Sequence, residues 1–361
     1  MRGKDPMTAP SSLVNSADNR VPWVDTAKGI CILLVVMMHS TLGVEAVSGQ
    51  QGWLGDVVAF ARPFRMPDFF LVSALFLSAR IDADWRLYLD RKVLHFVYFY
   101  LLWVAIQMGF KFFSLYDGDL AALVTAYAEA LIQPFGILWF IYLLAIFFVI
   151  TKLLRGVSPI LVWLAAAALE MTHIQTGWMV IDEFAARFVY FYTGHVIARH
   201  VFAFAGGAAE KPLLGALGLA VWAFANGFAV KTGISTLPGI GLALGFAGAI
   251  AITVFASMIA KTLPGRAFAY AGARSIAIYL AFFLPMAAMR SLLLKFNVVS
   301  DVGTISAIVT LTAWLSPLVA LALVKNTPLK FLFARPAWAR IVPPGSPRKS
   351  ATPAAALTPA E

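Results

Sequence analysis

One apolar stretch with three ionisable residues in it decides the fold: Asp25-Thr-Ala-Lys28-Gly-Ile-Cys-Ile-Leu-Leu-Val-Val-Met-Met-His39. Ten uncharged residues separate Lys28 from His39. On an α-helix, eleven steps return to within ~20° of the starting direction with a rise of ~16 Å, so these two residues share a face. Asp25 lies one turn before Lys28 on nearly the same face. Ionisable groups inside a spanning helix are costly, so this line is a candidate functional site.

The composition is that of a membrane protein. The chain has 361 residues, of which 61% are hydrophobic and 13% are charged. A soluble domain is about half apolar and about a quarter charged, so we expect a polytopic membrane protein. The net charge of +10 does not indicate nucleic-acid binding, because positive charge on a membrane protein usually marks its cytoplasmic loops.

The hydrophobic segments predict an all-α fold, a polytopic membrane helix bundle of about ten transmembrane helices. Each segment is long enough to cross a bilayer, although the second is interrupted by Arg62, Arg65 and Asp68. The stretch 119–133 has instead the pattern of an amphipathic helix at the interface. The ten segments lie near residues 24–44, 57–79, 93–115, 137–154, 157–172, 183–204, 212–231, 236–260, 268–294 and 303–325.

Lysine and arginine are concentrated in one set of alternate loops, and this asymmetry predicts the orientation. The opposite set of loops carries mostly acidic residues. Both termini are then cytoplasmic, Lys28 lies near the cytoplasmic end of the first helix, and His39 lies in its outer half. We expect three regions: a disordered cytoplasmic N-terminus at 1–20, a transmembrane domain at 21–330 and a mostly disordered cytoplasmic tail at 331–361.

Metal chemistry and the common nucleotide-binding motifs are not predicted. Cys31 is the only cysteine, which excludes an intrachain disulfide and a metal site with several cysteine ligands. The five histidines show no HExxH or similar spacing. The sequence also has no GxSxG motif, no Walker loop and no dinucleotide-binding fingerprint in a βαβ context.

His39 is the best candidate for a catalytic residue, because it shares a helix face with two other ionisable residues. An imidazole can take a proton from a hydroxyl group and return it. The alternative is a structural histidine that is hydrogen-bonded to a neighbouring helix. Lys28 could meet a phosphate-bearing donor, or it could form a solvated pair with Asp25 at the interface.

The second hydrophobic segment carries two arginines, two prolines and an aspartate, in the order Arg62-Pro-Phe-Arg65-Met-Pro-Asp68. The two arginines are three residues apart and share a helix face, at the depth of His39 or just outside it. Guanidinium groups there suit an anionic or carbonyl group. The alternative is a structural Arg–Asp cluster between helices.

A further basic group follows in the predicted cytoplasmic loop, where Arg91 and Lys92 are adjacent. Taken alone, this pair is typical of a positively charged cytoplasmic loop. It could also help to bind the phosphates of CoA or of a nucleotide.

Taken together, these residues resemble the acyltransferase 3 family of bacterial inner-membrane proteins. In that family the first helix carries Arg or Lys, ten residues and then His, as Lys28 and His39 do here. A Phe-Arg-Met-Pro segment corresponds to residues 64–74, a Leu-Trp-Phe segment to 136–142, and a Ser-x-x-Ile-Tyr motif to 275–280. The order and spacing of these motifs together carry the resemblance.

The resemblance covers about residues 20–325 and implies an integral membrane O-acyltransferase. Such enzymes move an acyl group, often acetyl or succinyl, from cytoplasmic acyl-CoA to a hydroxyl of a cell-envelope glycan or glycolipid. We therefore expect a multi-pass protein of the bacterial inner membrane, with acyl-CoA as co-substrate and no permanently bound cofactor. Its expected partners are the carbohydrate or glycolipid acceptor and membrane lipid.

The resemblance also implies roles for particular residues. We expect His39 to act as a base or as an acyl carrier, with an arginine to stabilise the developing oxyanion. We also expect Lys28, His39, Arg62 and Arg65 to line one continuous cavity that is open to the cytoplasm. The expected site comprises catalytic His39, Arg65, Arg62 and Asp25, donor-binding Lys28, Arg91 and Lys92, and substrate-binding Asp68, Ser73, Trp139 and Tyr142, with no metal ligand.

The chain departs from the family pattern at two places. Ala74 replaces the usual glycine, which should only tighten local packing. Many members carry a histidine soon after the late tyrosine, whereas this chain has Ala281, Phe282 and Phe283. If that histidine contacts the acceptor in relatives, the acceptor here differs.

Two other functions remain open on the sequence alone. The buried line of charges could be a proton or substrate path in a transporter or flippase, with His39 as a proton relay. The chain could also be a non-catalytic partner in an envelope assembly complex, in which case substitutions of Lys28 and His39 would be silent.

Overall fold

The computed structural model describes residues 21–297 and 299–342. These residues form helices and turns, and none of them lies in a β-strand. Six helical stretches are long and apolar enough to cross a bilayer, and the bent pair Ser275–Ala281 and Phe283–Phe296 makes a seventh if it counts as one span. The described chain is therefore an all-α protein with six to seven candidate membrane spans.

The helices follow one another along the described residues with short connections. In chain order the α-helices are α1 (Pro22–Ser48), α2 (Trp53–Ala61), α3 (Arg65–Ala74), α4 (Trp85–Lys92), α5 (Leu94–Phe110), α6 (Phe112–Leu115), α7 (Leu120–Glu129), α8 (Trp139–Leu153), α9 (Pro159–Met171), α10 (Met179–Val196), α11 (Ala198–Glu210), α12 (Pro212–Lys231), α13 (Ile240–Ile259), α14 (Leu263–Gly272), α15 (Ser275–Ala281), α16 (Phe283–Phe296) and α17 (Val302–Val324). Short 3₁₀ turns lie at Ser78–Arg80, Gly136–Leu138, Leu154–Gly156, Ile234–Thr236, Pro328–Leu332 and Ala337–Ala339.

Each of the ten predicted segments contains a helix, but length and composition qualify only six or seven of them as spans. The second segment is broken at residues 62–64, between α2 and α3, where Pro63 interrupts regular helical hydrogen bonding. The fifth contains α9, which has 13 residues. The sixth is divided between α10 and α11 at Ile197, and α10 carries Asp182 in its first turn. The sequence-based count of about ten is thus higher than the count that these criteria support.

Helix α1 is the centre of the bundle. It contacts α2, α3, α13, α14, α15, α16 and α17. Its approach to α14 is close because both helices have glycine at the contact. A side chain at Gly29 would meet the backbone of Phe268, and one at Gly272 would meet the carbonyl of Asp25. Small residues that let two backbones approach are typical of membrane helix packing.

The bundle has two faces, which we name after residues of α1. The Lys28 face is the side where α1 begins, and it also carries the start of α5 and the end of α17. The Glu45 face is the side where α1 ends, and it also carries α2 and the start of α3.

The expected terminal regions fall partly outside the described residues. Residues 1–20, and residues 343–361 of the expected tail, lie outside the described part of the chain. Residues 331–342, by contrast, are described and pack against the Lys28 face, where Phe333 lies beside Lys28 in one cavity wall. The expected division into three regions stays a prediction.

Candidate functional site

Asp25, Lys28 and His39 all lie on α1, which continues without a break from Pro22 to Ser48. Proline suits the first position of a helix, and an acidic side chain in the first turn interacts favourably with the helix dipole. The helix ends at Gly49, whose φ of 67° is the left-handed conformation common at helix C-termini. Lys28 and His39 therefore share one face, about 16 Å apart along the axis.

A cavity of about 510 Å³ lies at the Lys28 face. Asp25, Lys28, His95 and Arg274 are among the side chains that line it. The Nζ atom of Lys28 is 5.7 Å from the centroid of the Phe76 ring, within range of a cation–π interaction. Two cationic side chains and a histidine in one cavity wall are suited to an anionic ligand.

Lys92 adds positive charge next to this cavity. Its Nζ lies 4.9 Å from the centroid of the Phe148 ring, and its charge interacts with those of Lys28 and Arg80. Neither Lys92 nor Arg91 is among the residues that line the cavity, and Arg91 is exposed on α4. The structure thus brings Lys28 and Lys92 together and leaves Arg91 at the surface.

Two residues of this cavity are not among the predicted site residues. His95 is at the start of α5, three residues after Lys92. Its closeness in sequence to the basic pair Arg91 and Lys92 could have indicated that it belongs to the same site. Arg274 precedes α15 and is far from Lys28 in sequence. Nothing in its local pattern distinguishes Arg274 from an arginine that anchors a helix end, and only the fold places it here.

A second cavity, of about 790 Å³, lies at the Glu45 face. Arg62 and Arg65 line it together with Glu45 and Asp56. Arg62 is exposed, whereas Arg65 is half-buried and its Nε atom has no hydrogen-bond partner among the described residues. Glu45 Oε1 accepts a hydrogen bond of 3.0 Å from the backbone N–H of Gly52. The cavity therefore offers both guanidinium donors and carboxylate acceptors to a polar ligand.

His39 lies between the two cavities along α1. The centroid of its ring is 5.6 Å from that of Phe282, so one side of the imidazole faces the protein interior. The positive charge of Arg65 is close enough to act on the imidazole electrostatically. Phe282 is fully buried, with 0% of its surface exposed, and it belongs to the stretch where the family pattern has a histidine. An aromatic ring therefore stands beside His39 in this chain.

The two cavities are separate. They share no lining residue, and His39 lines neither of them. Between their levels α1 presents buried apolar side chains, among them Ile32 and Val36. The sequence predicts one continuous cavity from Lys28 to Arg62, whereas these two cavities are divided by packed side chains.

Asp68 lies in the interior of the bundle. It is 0% exposed, and neither of its carboxyl oxygens has a hydrogen-bond partner among the described residues. It is close enough to the Cys31 thiol of α1 and to Tyr190 of α10 for electrostatic interaction. It does not line the cavity that contains Arg62 and Arg65.

A second buried carboxyl group lies nearby and was not predicted. Glu170 of α9 is 7% exposed, and its Oε1 accepts a hydrogen bond of 3.2 Å from the Tyr190 hydroxyl. Arg187 interacts electrostatically with Glu170 and Arg65, and its Nε also donates to Glu183 at 3.0 Å. These residues come from three different helices, so their spacing in sequence does not predict that they lie close together.

The other three predicted substrate residues have local partners. Ser73 Oγ donates to the Phe69 carbonyl at 2.7 Å, one turn earlier in the same helix. The Tyr142 hydroxyl donates to the Leu131 carbonyl at 2.9 Å, and this tyrosine lines an apolar cavity of about 460 Å³ between α5 and α8. The Trp139 ring packs on that of Phe140. None of the three lines the cavities at the Lys28 or Glu45 face.

Two of the quoted motifs meet through Tyr279. Its hydroxyl donates to the carbonyl of Ile137 and accepts a hydrogen bond of 3.3 Å from the backbone N–H of Phe140. The late Ser-x-x-Ile-Tyr motif therefore fixes the start of α8, which carries the Leu-Trp-Phe motif. Ser275 of the same late motif lines the cavity at the Lys28 face.

Comparison with known proteins decides the family. A family model described as an acyltransferase domain, acyltransferase 3, matches residues 21–324. The chain belongs to the acyltransferase 3 family. This confirms the resemblance that the motifs carry.

This acyltransferase is also similar to a curated bacterial protein, the inner membrane protein YcfT of Escherichia coli (strain K12). The two are 25% identical over 195 residues, which make up 48% of this chain and 55% of the relative. The match thus spans about half the length of the curated relative. No solved structure matches the chain.

The described residues contain no cluster of metal-ligating side chains. Within residues 21–297 and 299–342, no group of three or more histidine, cysteine, aspartate or glutamate side chains is placed to hold a metal ion.

Proposed function

We propose that this membrane acyltransferase moves an acyl group, acetyl or succinyl, from acyl-CoA to a hydroxyl of a cell-envelope glycan or glycolipid. One observation carries the proposal: Lys28, which lines one cavity, shares a face of one unbroken helix with His39, which lies between the two cavities, and both cavities contain cationic side chains. A donor bound at one face and an acceptor bound at the other would meet on this helix.

The orientation that we propose places the Lys28 face in the cytoplasm. Lys28, Lys92 and Arg274 lie on this face, and positive charge favours the cytoplasmic side. We further propose about ten spans and cytoplasmic termini, with the broken pair α2 and α3, the short helix α9 and the charged helix α10 also within the membrane. Similarity to an inner membrane protein supports location in the bacterial inner membrane.

The donor in this proposal binds at the Lys28 face. Lys28 and Lys92 contact the phosphates of acyl-CoA, Asp25 orients Lys28, and Arg91 lies at the exposed rim. The extended acyl-pantetheine arm follows α1 over the roughly 16 Å from Lys28 to His39. For the arm to reach His39, the side chains packed between the two cavities have to move apart. The Phe282 side chain is the one that lies beside His39.

The acceptor binds in the cavity at the Glu45 face. Its hydroxyl oxygen attacks the thioester carbonyl carbon while His39 takes the hydroxyl proton. Arg65, and Arg62 from the exposed rim, stabilise the negative charge that develops on the carbonyl oxygen. The C–S bond then breaks, and the thiolate of CoA leaves with a proton that returns from the imidazole. Asp68, Ser73, Trp139 and Tyr142 are kept as proposed substrate-binding residues, although none of them lines this cavity in the present conformation.

The test is acyl transfer by the purified protein in lipid nanodiscs with radiolabelled acetyl-CoA or succinyl-CoA and envelope glycans or glycolipids. We expect His39→Ala to lower the rate by about 100-fold or more, since a positioned acid–base group contributes about 10²–10⁴. His200→Ala, which changes an exposed histidine of α11, is the matched control. Transfer by His39→Ala at the wild-type rate would exclude this mechanism.

A further inference from the structure

The chain beyond the family domain packs back onto the donor side of the bundle. The family match ends at residue 324, the end of α17, and the described chain continues to 342. We name residues 328–342 the C-terminal strap. It contains two 3₁₀ turns, Pro328–Leu332 and Ala337–Ala339, and the family match does not assign it a role.

Three consecutive residues tie the first half of the strap to α5. The Tyr98 hydroxyl donates to the carbonyl of Phe331 at 3.1 Å, and Trp103 Nε1 donates to the carbonyl of Leu332 at 2.9 Å. The ring of Phe333 packs on that of Trp103, with 5.7 Å between centroids. The strap therefore has a defined path across the helix that also carries His95.

The second half is held by a buried ion pair. Arg335 Nη2 lies 3.0 Å from Asp90 Oδ2, and the two side chains are 7% and 5% exposed. The other oxygen of Asp90 accepts a hydrogen bond of 2.8 Å from the backbone N–H of Ile341. Removing one member of a buried pair leaves an uncompensated charge, so Asp90 is a strong anchor for the strap. Asp90 is on α4, the helix that carries Lys92.

The strap reaches the donor cavity with an apolar and a cationic side chain. Phe333 is among the residues that line the cavity, together with Lys28 and His95. Arg340 is exposed, and its charge acts on His95, as does that of Lys92. One N–H of Arg340 donates to the carbonyl of Arg335 at 3.3 Å, and a guanidinium group has five such donors.

We propose that the C-terminal strap is part of the donor-binding site, in which Phe333 forms an apolar wall and Arg340 binds the 3′-phosphate of CoA. The inference rests on the proposed function in one respect, namely that the donor is a CoA thioester. Arg340 takes the outermost phosphate because it is exposed and its charge acts on His95 of the cavity wall, whereas Lys28 itself lines the cavity. A guanidinium fork matches the oxygens of a phosphate group.

The test compares binding of CoA and 3′-dephospho-CoA to the purified full-length chain in nanodiscs by calorimetry. We expect the wild type to bind CoA about tenfold more tightly, as for the loss of one charge-assisted hydrogen bond. Arg340→Gln should bind both ligands with the affinity that the wild type has for 3′-dephospho-CoA. Lys330→Gln, an equal change of charge at an exposed lysine of the same strap, should keep the tenfold preference.

The outcomes separate this inference from the proposed function. If the wild type binds CoA and transfers acyl groups but Arg340→Gln keeps the preference, the strap does not bind the 3′-phosphate and the inference is wrong. The inference is also wrong if Lys330→Gln loses the preference for CoA over 3′-dephospho-CoA to the same extent as Arg340→Gln. The lost preference would then reflect net charge rather than a contact of Arg340. If the wild type binds neither ligand, CoA is not the donor and the proposed function itself fails.

Discussion

At the scale of single residues, the contact between His39 and Phe282 decides how a substrate can reach the imidazole. The two ring centroids are 5.6 Å apart, and Phe282 is fully buried. An acceptor hydroxyl must come within about 3 Å of an imidazole nitrogen for proton transfer. In the proposed mechanism the acceptor therefore approaches from the side of His39 that Phe282 leaves open, or the phenylalanine side chain moves.

We expect Phe282→Leu to make His39 more accessible, because leucine is smaller and leaves space beside the imidazole. The cost in stability should be about 1 kcal/mol, as for a typical core substitution. The measurement is the rate at which diethylpyrocarbonate modifies His39, followed by peptide mass spectrometry, and a rise of about threefold or more is expected if the ring blocks access. Phe283→Leu is the control, since the ring of Phe283 lies against Lys111 rather than against His39. A modification rate equal to that of the wild type would show that Phe282 does not restrict access.

At the scale of helices, α4 is held in place by a lysine from α8. Lys152 is 1% exposed, and its Nζ donates to the carbonyls of Ile81 and Ala83 at 2.6 and 2.7 Å. The same Nζ lies 4.9 Å from the ring of Trp85 and 4.6 Å from that of Tyr88, both on α4. Through these contacts Lys152 sets the position of the helix that carries Lys92 and Asp90.

Lys152→Met should loosen α4 and weaken donor binding. Two carbonyls lose their charged donor, which should lower stability by about 1–3 kcal/mol and appear as a lower Tm. The KM for the acyl donor should rise about threefold or more, because the position of Lys92 is no longer fixed, while the KM for the acceptor stays the same. Lys231→Met, at an exposed position at the end of α12, is the matched control. A lower Tm with an unchanged donor KM would mean that Lys152 stabilises the fold without positioning the site.

At the scale of the whole molecule, the two faces of the bundle differ in the groups that they offer. The Lys28 face has a cavity with Lys28, His95 and Arg274, and the strap packs beside it. The Glu45 face has a cavity in which two arginines and two carboxylates meet. Vectorial transfer across a membrane requires such a division, with one substrate admitted from each side.

Cysteine labelling tests which face is cytoplasmic. Cys31 is fully buried, and Cys31→Ser provides a background without cysteine. A new cysteine at exposed Ser114, just beyond the Glu45 end of α5, should react with a membrane-impermeant maleimide in intact spheroplasts. One at exposed Ser158, just beyond the Lys28 end of α8, should react only after permeabilisation. The reverse pattern would contradict the proposed orientation and would place the donor cavity outside the cytoplasm.

The parts of the site that could be predicted are those that lie on one helix or close to it in sequence. Helical geometry alone predicts that Lys28 and His39 lie on the same face, and both residues lie on the unbroken helix α1 as expected. The shared cavity of Arg62 and Arg65 also agrees with their spacing of three residues. The sequence also predicts Arg91 at the donor site beside Lys92. Neighbours in a helix point about 100° apart and Arg91 is exposed, so its part in the site stays a prediction.

The parts that could not be predicted depend on contacts between distant segments. Arg274 enters the Lys28 cavity because Gly29 and Gly272 let α1 and α14 pack closely. Glu170 meets Tyr190 and Arg187 through the packing of α9 and α10. In each case the partners lie on different helices, so no local sequence pattern predicts their contact.

The sequence by itself determined that this protein is an all-helical membrane protein of the acyltransferase 3 family with Lys28 and His39 in line on its first helix. It could do so because hydropathy, helical phase and motif order are properties of residues that are neighbours along the chain. Only the tertiary structure decided that Phe282 stands beside His39, that the cavities at the two faces are separate, and that the strap packs on the Lys28 face. These features depend on packing between segments that are far apart in sequence, as in the hydrogen bond between Asp90 and Ile341, whose separation is 251 residues. Such packing is selected by the shape of the whole bundle rather than by any local pattern.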